Sequence, residues 1–202
     1  MLRKPKKGSF ESRLQVVPVS TQDLWRFSKF PDTEPYWATR GHYRFDDPGG
    51  AVGAATFGVL YVGHLPEVAF AESCIHENSL FNTDTGRFEV PKAVLTGRSL
   101  VNFRHPAKPQ LLMADLTGPA LKALGLNNDI SAGNDYGIPQ QWSAAIHTAR
   151  PDVDGIRYAS RQLNSSFCYA VFQRSGLARD QYRPLPPDLL EALCARFNVA
   201  PV

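Results

Sequence analysis

Apolar residues in this chain fall into short blocks separated by glycine, proline and polar residues. The most compact block runs from Phe57 to Gly63 and is bounded by glycines, which predicts a buried strand. Pro66 and Glu67 follow and suit the first turn of a helix, where proline loses no helical hydrogen bond and an acid favours the dipole. We expect this helix to run to about Glu77.

The same patterning predicts the other elements. Short apolar blocks predict strands at 14–17, 110–114, 155–160 and 168–172, and helical spacing predicts helices at 117–125, 139–148 and 186–197. Residues 81–109 are expected to form loops and short strands, and the polar stretch 127–136 a flexible segment. Because strands and helices are mixed without regular alternation, we predict one α+β domain with a mixed or antiparallel central sheet and flanking helices.

Composition supports a single domain. The chain has 202 residues, of which 43% are apolar, enough for a sizeable core. Its net charge is +3, and part of this excess comes from the basic start Arg3, Lys4, Lys6 and Lys7. Such a run either contacts nucleic acid or an acidic partner or is a solvated terminus, and we favour the terminus. We therefore expect a basic, flexible tail at 1–13 and one domain at 14–202.

The cysteines and the first residues indicate the compartment. The chain begins without the apolar segment of a secretory signal, and no apolar run is long enough to span a bilayer. Cys74, Cys168 and Cys194 lie far apart, which indicates reduced, buried thiols and a cytoplasmic protein without a membrane partner. His76 and Glu77 resemble half of a metal motif, but no second histidine follows at helical spacing, so no metal site is expected.

A carboxylate and two arginines are the first candidate functional groups. Glu72 falls in the middle of the predicted helix among small apolar residues. It is either a buried carboxylate, which needs a partner or a function, or a residue on the solvent-exposed face of the helix. Arg26 and Arg44 each stand beside aromatic residues. Guanidinium groups bind phosphate in a bidentate manner, although a surface arginine stacked on a ring is the plainer interpretation of each one alone.

Two further candidates have equally plain alternatives. Tyr61 lies on the predicted buried strand and is by default a core tyrosine whose hydroxyl needs a partner. Ser160 ends a predicted strand, where functional polar groups and ordinary turn serines are both common. The glycines Gly49, Gly50 and Gly53 are only a weak nucleotide-binding signal, because they do not join a strand to a helix.

Taken together, these segments resemble the RES-domain family over roughly residues 20–175. The family is named for an arginine, a glutamate and a serine, and the order and spacing of the series are more specific than any one piece. The segments that carry the resemblance are Leu24-Trp25-Arg26, Tyr43-Arg44-Phe45-Asp46-Asp47-Pro48, Gly58-Val59-Leu60-Tyr61-Val62, Ala69-Phe70-Ala71-Glu72, Asp154-Gly155-Ile156-Arg157-Tyr158-Ala159-Ser160 and Ala170-Val171-Phe172.

The resemblance implies a catalytic domain whose fold is like that of ADP-ribosyltransferase toxins. It implies the toxin of a bacterial toxin–antitoxin pair, an Xre-type helix-turn-helix antitoxin as partner, and a dimer bound to that antitoxin. The implied activity is degradation of NAD⁺ by phosphorolysis or hydrolysis, with NAD⁺ as substrate, inorganic phosphate as co-substrate and no cofactor. The implied cleft residues are Arg26, Arg44, Tyr61, Glu72 and Ser160, followed in rank by Arg161 and Asn164.

The resemblance and the chemistry together suggest a role for each group. Cleavage of the nicotinamide–ribose bond builds positive charge on the ribose, which the carboxylate of Glu72 would stabilise. Arg26 and Arg44 would hold the pyrophosphate, or one of them the attacking phosphate. Tyr61 would stack on or bond to the nicotinamide riboside, and Ser160 would bond to the nicotinamide amide or a phosphate.

Other interpretations stay open from sequence. The chain could be an ADP-ribosyltransferase that modifies a protein or a tRNA, or a non-catalytic regulatory domain that keeps a nucleotide pocket. Direct nucleic-acid binding is weaker, because the positive charge is modest and concentrated at the start of the chain. The long segment between Glu72 and Ser160, which includes 127–136, could be a lid or a partner surface. The choices of water or phosphate and of NAD⁺ or NADP⁺ also stay open.

Overall fold

The computed structural model describes residues 2–76 and 78–202. The strands are β1 Val16–Ser20, β2 Trp25–Ser28, β3 Val59–Gly63, β4 Leu80–Asn82, β5 Arg87–Val90, β6 Ser99–Arg104, β7 Gln110–Leu116, β8 Gly155–Ala159, β9 Phe167–Phe172, β10 Ala178–Pro184 and β11 Val199–Pro201. The α-helices are α1 Pro66–Phe70, α2 Lys92–Thr96, α3 Gly118–Ala123, α4 Asp129–Ala132, α5 Gly137–Ala149 and α6 Pro187–Arg196.

Eight strands form the main sheet in the order β1-β7-β8-β9-β3-β2-β6-β10. Only β7 and β8 run parallel, and every other neighbouring pair in this sheet is antiparallel. A smaller sheet has the order β11-β5-β4. The predicted α+β fold with a mixed central sheet and flanking helices is confirmed.

Strand β3 and the helix after it form where the sequence predicts them. Every residue of β3 except Tyr61 is buried, because helices and loops cover one face of the sheet and further apolar side chains the other. Helix α1 begins at Pro66 and continues as a π-helical turn, Ala71–Ile75. The predicted helix end near Glu77 lies outside the described residues.

The core consists of three clusters of buried side chains. One cluster joins α3, α4 and α5 to strands β7, β8 and β9, and a second joins α1 and α6 to β2, β6 and the small sheet. The third lies on the opposite face of the main sheet, under β3, β6, β7 and β9. The helical spacing of apolar residues in α5 and α6 places Trp142 and Ile146 in the first cluster and Leu189 and Leu193 in the second.

Two segments are more regular than their composition predicts. Residues 81–109 contain α2 and the six-residue strand β6, of which four residues are buried. The expectation of a flexible segment at 127–136 does not hold, because α4 lies within it and both Ile130 and Ser131 are buried. Ile130 packs in the same cluster as Trp142, so a buried apolar residue anchors this mostly polar stretch.

Part of the basic N-terminal segment is anchored on the domain. Phe10 is buried and packs edge-on against Trp142, with ring centroids 5.3 Å apart. The indole Nε1 of Trp142 donates a hydrogen bond of 2.8 Å to the carbonyl of Arg3. The division of the chain at residue 14 stays a prediction, but residues 3 and 10 make contacts that a freely moving tail would not.

The three cysteines are free and buried, as expected. None of the helices in the described ranges has the length and the apolar character needed to cross a membrane.

Candidate active site

A cavity of about 300 Å³ lies between the first two core clusters, above strands β2 and β3. This volume is at the lower end of the range for small-molecule sites. Five of the seven predicted site residues line it, namely Arg26, Arg44, Tyr61, Glu72 and Arg161. Ser160 does not line it but bonds to Glu72, and Asn164 is exposed and does not line it.

Glu72 owes its position to close packing between β3 and α1. A Cβ atom on Gly63 would lie 2.7 Å from the backbone nitrogen of Ala69, so only glycine lets the helix approach the strand this closely. The π-helical turn that follows carries Glu72, and the amide of His76 bonds to the carbonyl of Ala71 five residues earlier. Turns of this kind inside helices are rare and frequent at functional sites.

Among the described residues, hydrogen-bond donors contact one carboxylate oxygen of Glu72 and not the other. Oε1 accepts hydrogen bonds from the Ser160 hydroxyl at 2.6 Å, from the Arg161 amide at 2.9 Å and from the Gln162 amide at 3.2 Å. Within the described residues no donor lies on Oε2. The carboxylate is therefore oriented by one of its oxygens, while the second oxygen is free to interact with a ligand.

Ser160 holds Glu72 from behind the cavity. Its hydroxyl is buried, donates to Glu72 and accepts from the amides of Gln162 and Leu163 at 3.2 and 3.0 Å. Because these contacts occupy the hydroxyl, the geometry favours a positioning role rather than the direct contact with the nicotinamide or a phosphate that the sequence analysis suggested.

Arg44 is a buried cation without an acidic partner among the described residues. It is 8% exposed, donates to the Ile130 carbonyl at 3.4 Å and lies 4.6 Å from the ring centroid of Tyr136. Burial lowers the pKa of Arg44, but a guanidinium stays protonated in proteins. A buried charge is costly unless it is paired, so this side of the cavity favours an anionic ligand.

Arg26, by contrast, already has a partner. Its Nε lies 3.1 Å from Oε1 of Glu34, whose side chain is almost completely buried, and its Nη1 donates to the Tyr61 carbonyl at 3.4 Å. The other oxygen of Glu34 accepts from the Tyr36 amide. The ion pair orients Arg26 at the cavity wall and leaves it a weaker attraction for anions than Arg44.

The Tyr61 hydroxyl is committed within the protein. It donates to Asp46 Oδ1 and accepts from the Phe45 amide, both at 2.9 Å. Burial, together with the charge of Asp46, raises the pKa of Tyr61 well above its usual range. The ring lines the cavity 5.6 Å from the ring of Tyr43, so the contacts favour stacking on a ligand over a hydrogen bond to it.

The two aspartates of the Tyr43–Pro48 motif are structural. Asp47 accepts from Gly49 and from Thr56 and Phe57, and so closes the turn that leads into β3. Burial raises the pKa of Asp47, but these hydrogen bonds outweigh it and the net pKa is lowered. Burial raises the pKa of Asp46, whose carboxylate orients Tyr61 and the Tyr43 amide.

Two more arginines add positive charge to the cavity. Arg161 donates to Asn134 Oδ1 at 2.8 Å and lies 3.3 Å from Nε2 of His76. Arg98 donates to the carbonyls of Val94 and Phe27. In the described ranges neither arginine forms an ion pair with a carboxylate, and neither range contains a group of three histidine, cysteine or acidic residues suited to a metal.

Sequence reasoning missed several residues of this site. Arg98, Ser131 and Tyr136 line the cavity, and Glu34 pairs with the lining residue Arg26. Tyr136 had a usable signal, as an aromatic residue at the end of a polar stretch. The other three had none, because the contacts of Glu34 and Arg98 and the unsatisfied hydroxyl of Ser131 depend on how distant segments pack.

Comparisons with known proteins agree with this architecture. The structure is similar to a chain in the crystal structure of the M. tuberculosis MbcT–MbcA toxin–antitoxin complex, with a TM-score of 0.62 and 19% identity over 92% of this chain and 94% of that one. No curated protein matches the chain. The family model of the RES domain matches residues 23–188, most of the sequence. The chain therefore belongs to the RES-domain family.

Proposed function

We propose that this protein is the toxin of a bacterial toxin–antitoxin pair and that it degrades NAD⁺ by breaking the nicotinamide–ribose bond. Membership of the RES-domain family and the similarity to a toxin–antitoxin complex support the biological role. The chemistry rests on one observation, namely that the cavity combines an oriented carboxylate, Glu72, with Arg44, a buried cation that has no acidic partner among the described residues. NAD⁺ presents the matching groups, a sugar that becomes cationic and a pyrophosphate.

The contacts suggest how the site acts. Arg44 binds the pyrophosphate, and the Tyr61 ring packs on the nicotinamide riboside. As the bond to nicotinamide breaks, the ribose becomes oxocarbenium-like and the free oxygen of Glu72 stabilises its positive charge. Nicotinamide leaves as a neutral ring and needs no proton, so one carboxylate is enough.

The acceptor we favour is inorganic phosphate. An oxygen of phosphate would bond to the ribose carbon that nicotinamide leaves, and the product would be ADP-ribose 1″-phosphate. Two anions in one cavity repel each other, so phosphorolysis requires more cationic groups than hydrolysis. Among the described residues, four arginines and one glutamate line the cavity, and three of these arginines, Arg44, Arg98 and Arg161, form no ion pair with a described carboxylate, which supports a second anion beside the pyrophosphate.

The proposal extends to the partner and the compartment. A toxin that consumes NAD⁺ acts where NAD⁺ is present, in the cytoplasm, and needs an antitoxin to restrain it. We expect an Xre-type helix-turn-helix antitoxin and a toxin homodimer within the complex. Size-exclusion chromatography with light scattering measures the mass of the chain alone and of the complex formed after co-expression with its neighbouring gene product. These masses test the toxin homodimer and the association with the antitoxin.

The test is the loss of NAD⁺ by purified protein. We expect Glu72→Gln to keep the fold and to lower turnover at least ~10²-fold, because the electrostatic stabilisation of the ribose is lost. Glu67→Gln is the matched control, since Glu67 lies in the first turn of the same helix and does not line the cavity. Near-normal NAD⁺ consumption by Glu72→Gln would remove Glu72 from the mechanism.

Phosphorus NMR of the products, with and without inorganic phosphate, separates the acceptors. Phosphorolysis gives ADP-ribose 1″-phosphate only when phosphate is present, whereas hydrolysis gives ADP-ribose in both cases. Label from NAD⁺ that appears on a protein or a tRNA would instead indicate an ADP-ribosyltransferase.

A further inference from the structure

Ser131 carries a buried hydroxyl that forms no hydrogen bond with the described residues. Its Oγ is the one buried side-chain polar atom in residues 2–76 and 78–202 without a hydrogen-bond partner. Ser131 is 2% exposed and lies on α4, yet it lines the cavity. The other buried serines in those ranges bond within the protein; they are Ser28, Ser143, Ser160 and Ser175.

The position of Ser131 is set by the contacts around Arg44. The carbonyl of Ile130, the preceding residue, accepts from Arg44 Nη1, and the ring of Tyr136 lies against the same guanidinium. The segment from Ile130 to Tyr136 therefore wraps Arg44, and Ser131 borders the same side of the cavity. Among the described residues, a hydroxyl without a hydrogen-bond partner and a cation without an acidic partner therefore line the same cavity, and Arg44 contacts the residue next to Ser131.

The chemistry of these two groups restricts the ligand. A buried hydroxyl without a partner is unfavourable, so the site is incomplete until an acceptor reaches it. Arg44 requires negative charge for the same reason. A neutral amide or sugar would satisfy the hydroxyl but not the cation, whereas a phosphate has several charged acceptor oxygens and satisfies both.

We propose that Ser131 and Arg44 form a phosphoryl subsite, in which the Ser131 hydroxyl donates to a phosphate oxygen whose charge Arg44 neutralises. The inference rests on the proposed function in one respect, namely that NAD⁺ or its phosphate co-substrate supplies the phosphoryl group. Segment 130–136, expected from sequence to be flexible, thereby becomes part of substrate binding.

The experiment is calorimetric titration of the purified chain with ADP-ribose, inorganic phosphate and nicotinamide riboside, none of which requires turnover. We expect Ser131→Ala to bind about tenfold more weakly whichever phosphate probe occupies the subsite, in line with the loss of a hydrogen bond to a charged group. Nicotinamide riboside, which has no phosphate, should bind both proteins equally. Weaker binding of ADP-ribose by Ser131→Ala identifies the dinucleotide pyrophosphate as the occupant of the subsite. Weaker binding of inorganic phosphate identifies the free anion as the occupant.

Stability separates this role from a structural one. Ser131→Ala removes no hydrogen bond within the protein, so its melting temperature should not fall. Ser143→Ala is the matched control: its buried hydroxyl donates to the Phe45 carbonyl at 2.6 Å and does not line the cavity. That variant should lose stability and keep its affinity for all three probes.

The outcomes separate this inference from the proposed function. Equal affinity of wild type and Ser131→Ala for both phosphate-bearing probes, or no binding of either by the wild type, would overturn the subsite. Equal weakening for nicotinamide riboside would also overturn it, as a sign of general distortion. Ser131-dependent binding of ADP-ribose by a protein that does not consume NAD⁺ would support the subsite and reject the activity.

Discussion

At the scale of single residues, the site separates groups that meet a ligand from groups that hold them in place. Glu72 lines the cavity and has one oxygen without a hydrogen-bond donor among the described residues, whereas the Ser160 hydroxyl donates to the other oxygen of that carboxylate. Arg44 has no acidic partner in the described ranges, whereas Arg26 is neutralised by Glu34. Residue type alone therefore does not predict function here, since the two arginines have the same chemistry and differ only in their partners.

The role of Ser160 leads to a prediction about kcat and KM. Ser160→Ala should lower kcat about tenfold or more and leave the KM for NAD⁺ nearly unchanged, because a hydrogen bond to a charged group is lost away from the ligand. Steady-state kinetics measures both constants. Ser165→Ala, at an exposed position in the same loop, is the control. A rise in KM without a change in kcat would indicate direct contact between Ser160 and the substrate.

The environment of Arg44 leads to a second prediction. Arg44→Lys should raise the KM for NAD⁺ by about tenfold, because an ammonium group cannot reproduce the planar fork or its stacking on Tyr136. Arg40→Lys changes an exposed arginine a few residues away and should have no effect. Unchanged KM values for NAD⁺ and phosphate in Arg44→Lys would contradict anion binding by Arg44.

At the scale of elements, the contact between β3 and α1 brings two of the candidate site residues together. Tyr61 lies on the strand, and Glu72 on the π-helical turn that continues the helix. Gly63 ends the strand and allows the backbone of Ala69 to approach it. The distance between strand and helix therefore decides where the carboxylate lies.

Gly63→Ala tests this packing. The added methyl group would overlap the backbone at Ala69, so we expect a loss of about 1–3 kcal/mol in the free energy of unfolding and a lower kcat as Glu72 shifts. Urea denaturation and NAD⁺ consumption measure the two effects. Gly137→Ala is the stability control, since its methyl group would come no closer than 3.2 Å to another group, the Oδ1 atom of Asp135, and would not meet the backbone of a neighbouring element. A fully stable and active Gly63→Ala would show that the contact tolerates a side chain.

At the scale of the whole molecule, the fold combines elements from both ends of the chain. Phe10 near the start packs on α5, and α6 near the end packs beside α1. The N-terminal segment thus supports the cluster that borders the Arg44 side of the cavity. Its four basic residues led the sequence analysis to predict a solvated tail, although the segment also contains Phe10, the aromatic residue that anchors it.

Truncation of Phe10 measures that anchoring. Phe10→Ala should lower the free energy of unfolding by about 3 kcal/mol, because a buried aromatic ring is replaced by a cavity. Phe30→Ala removes a ring that is 71% exposed and should be close to neutral. Equal stability of the two variants in urea denaturation would mean that the N-terminal segment does not pack on the domain in solution.

The sequence by itself determined the α+β class, a buried strand within the block Phe57–Gly63, the helix from Pro66 and the family resemblance, because each depends on local patterning or on residue order. It also singled out Arg26, Arg44, Tyr61 and Glu72 as candidates, and the structure places all four on one cavity.

Only the tertiary structure decided which of these groups are free. The pairing of Arg26 with Glu34, the bond from Ser160 to Glu72 and the unpaired hydroxyl of Ser131 all depend on how distant segments meet. Hydrogen bonds and ion pairs are short-ranged and directional, so a one-residue change in strand register or a small helix shift would alter each of them. Local patterning carries no information about such contacts.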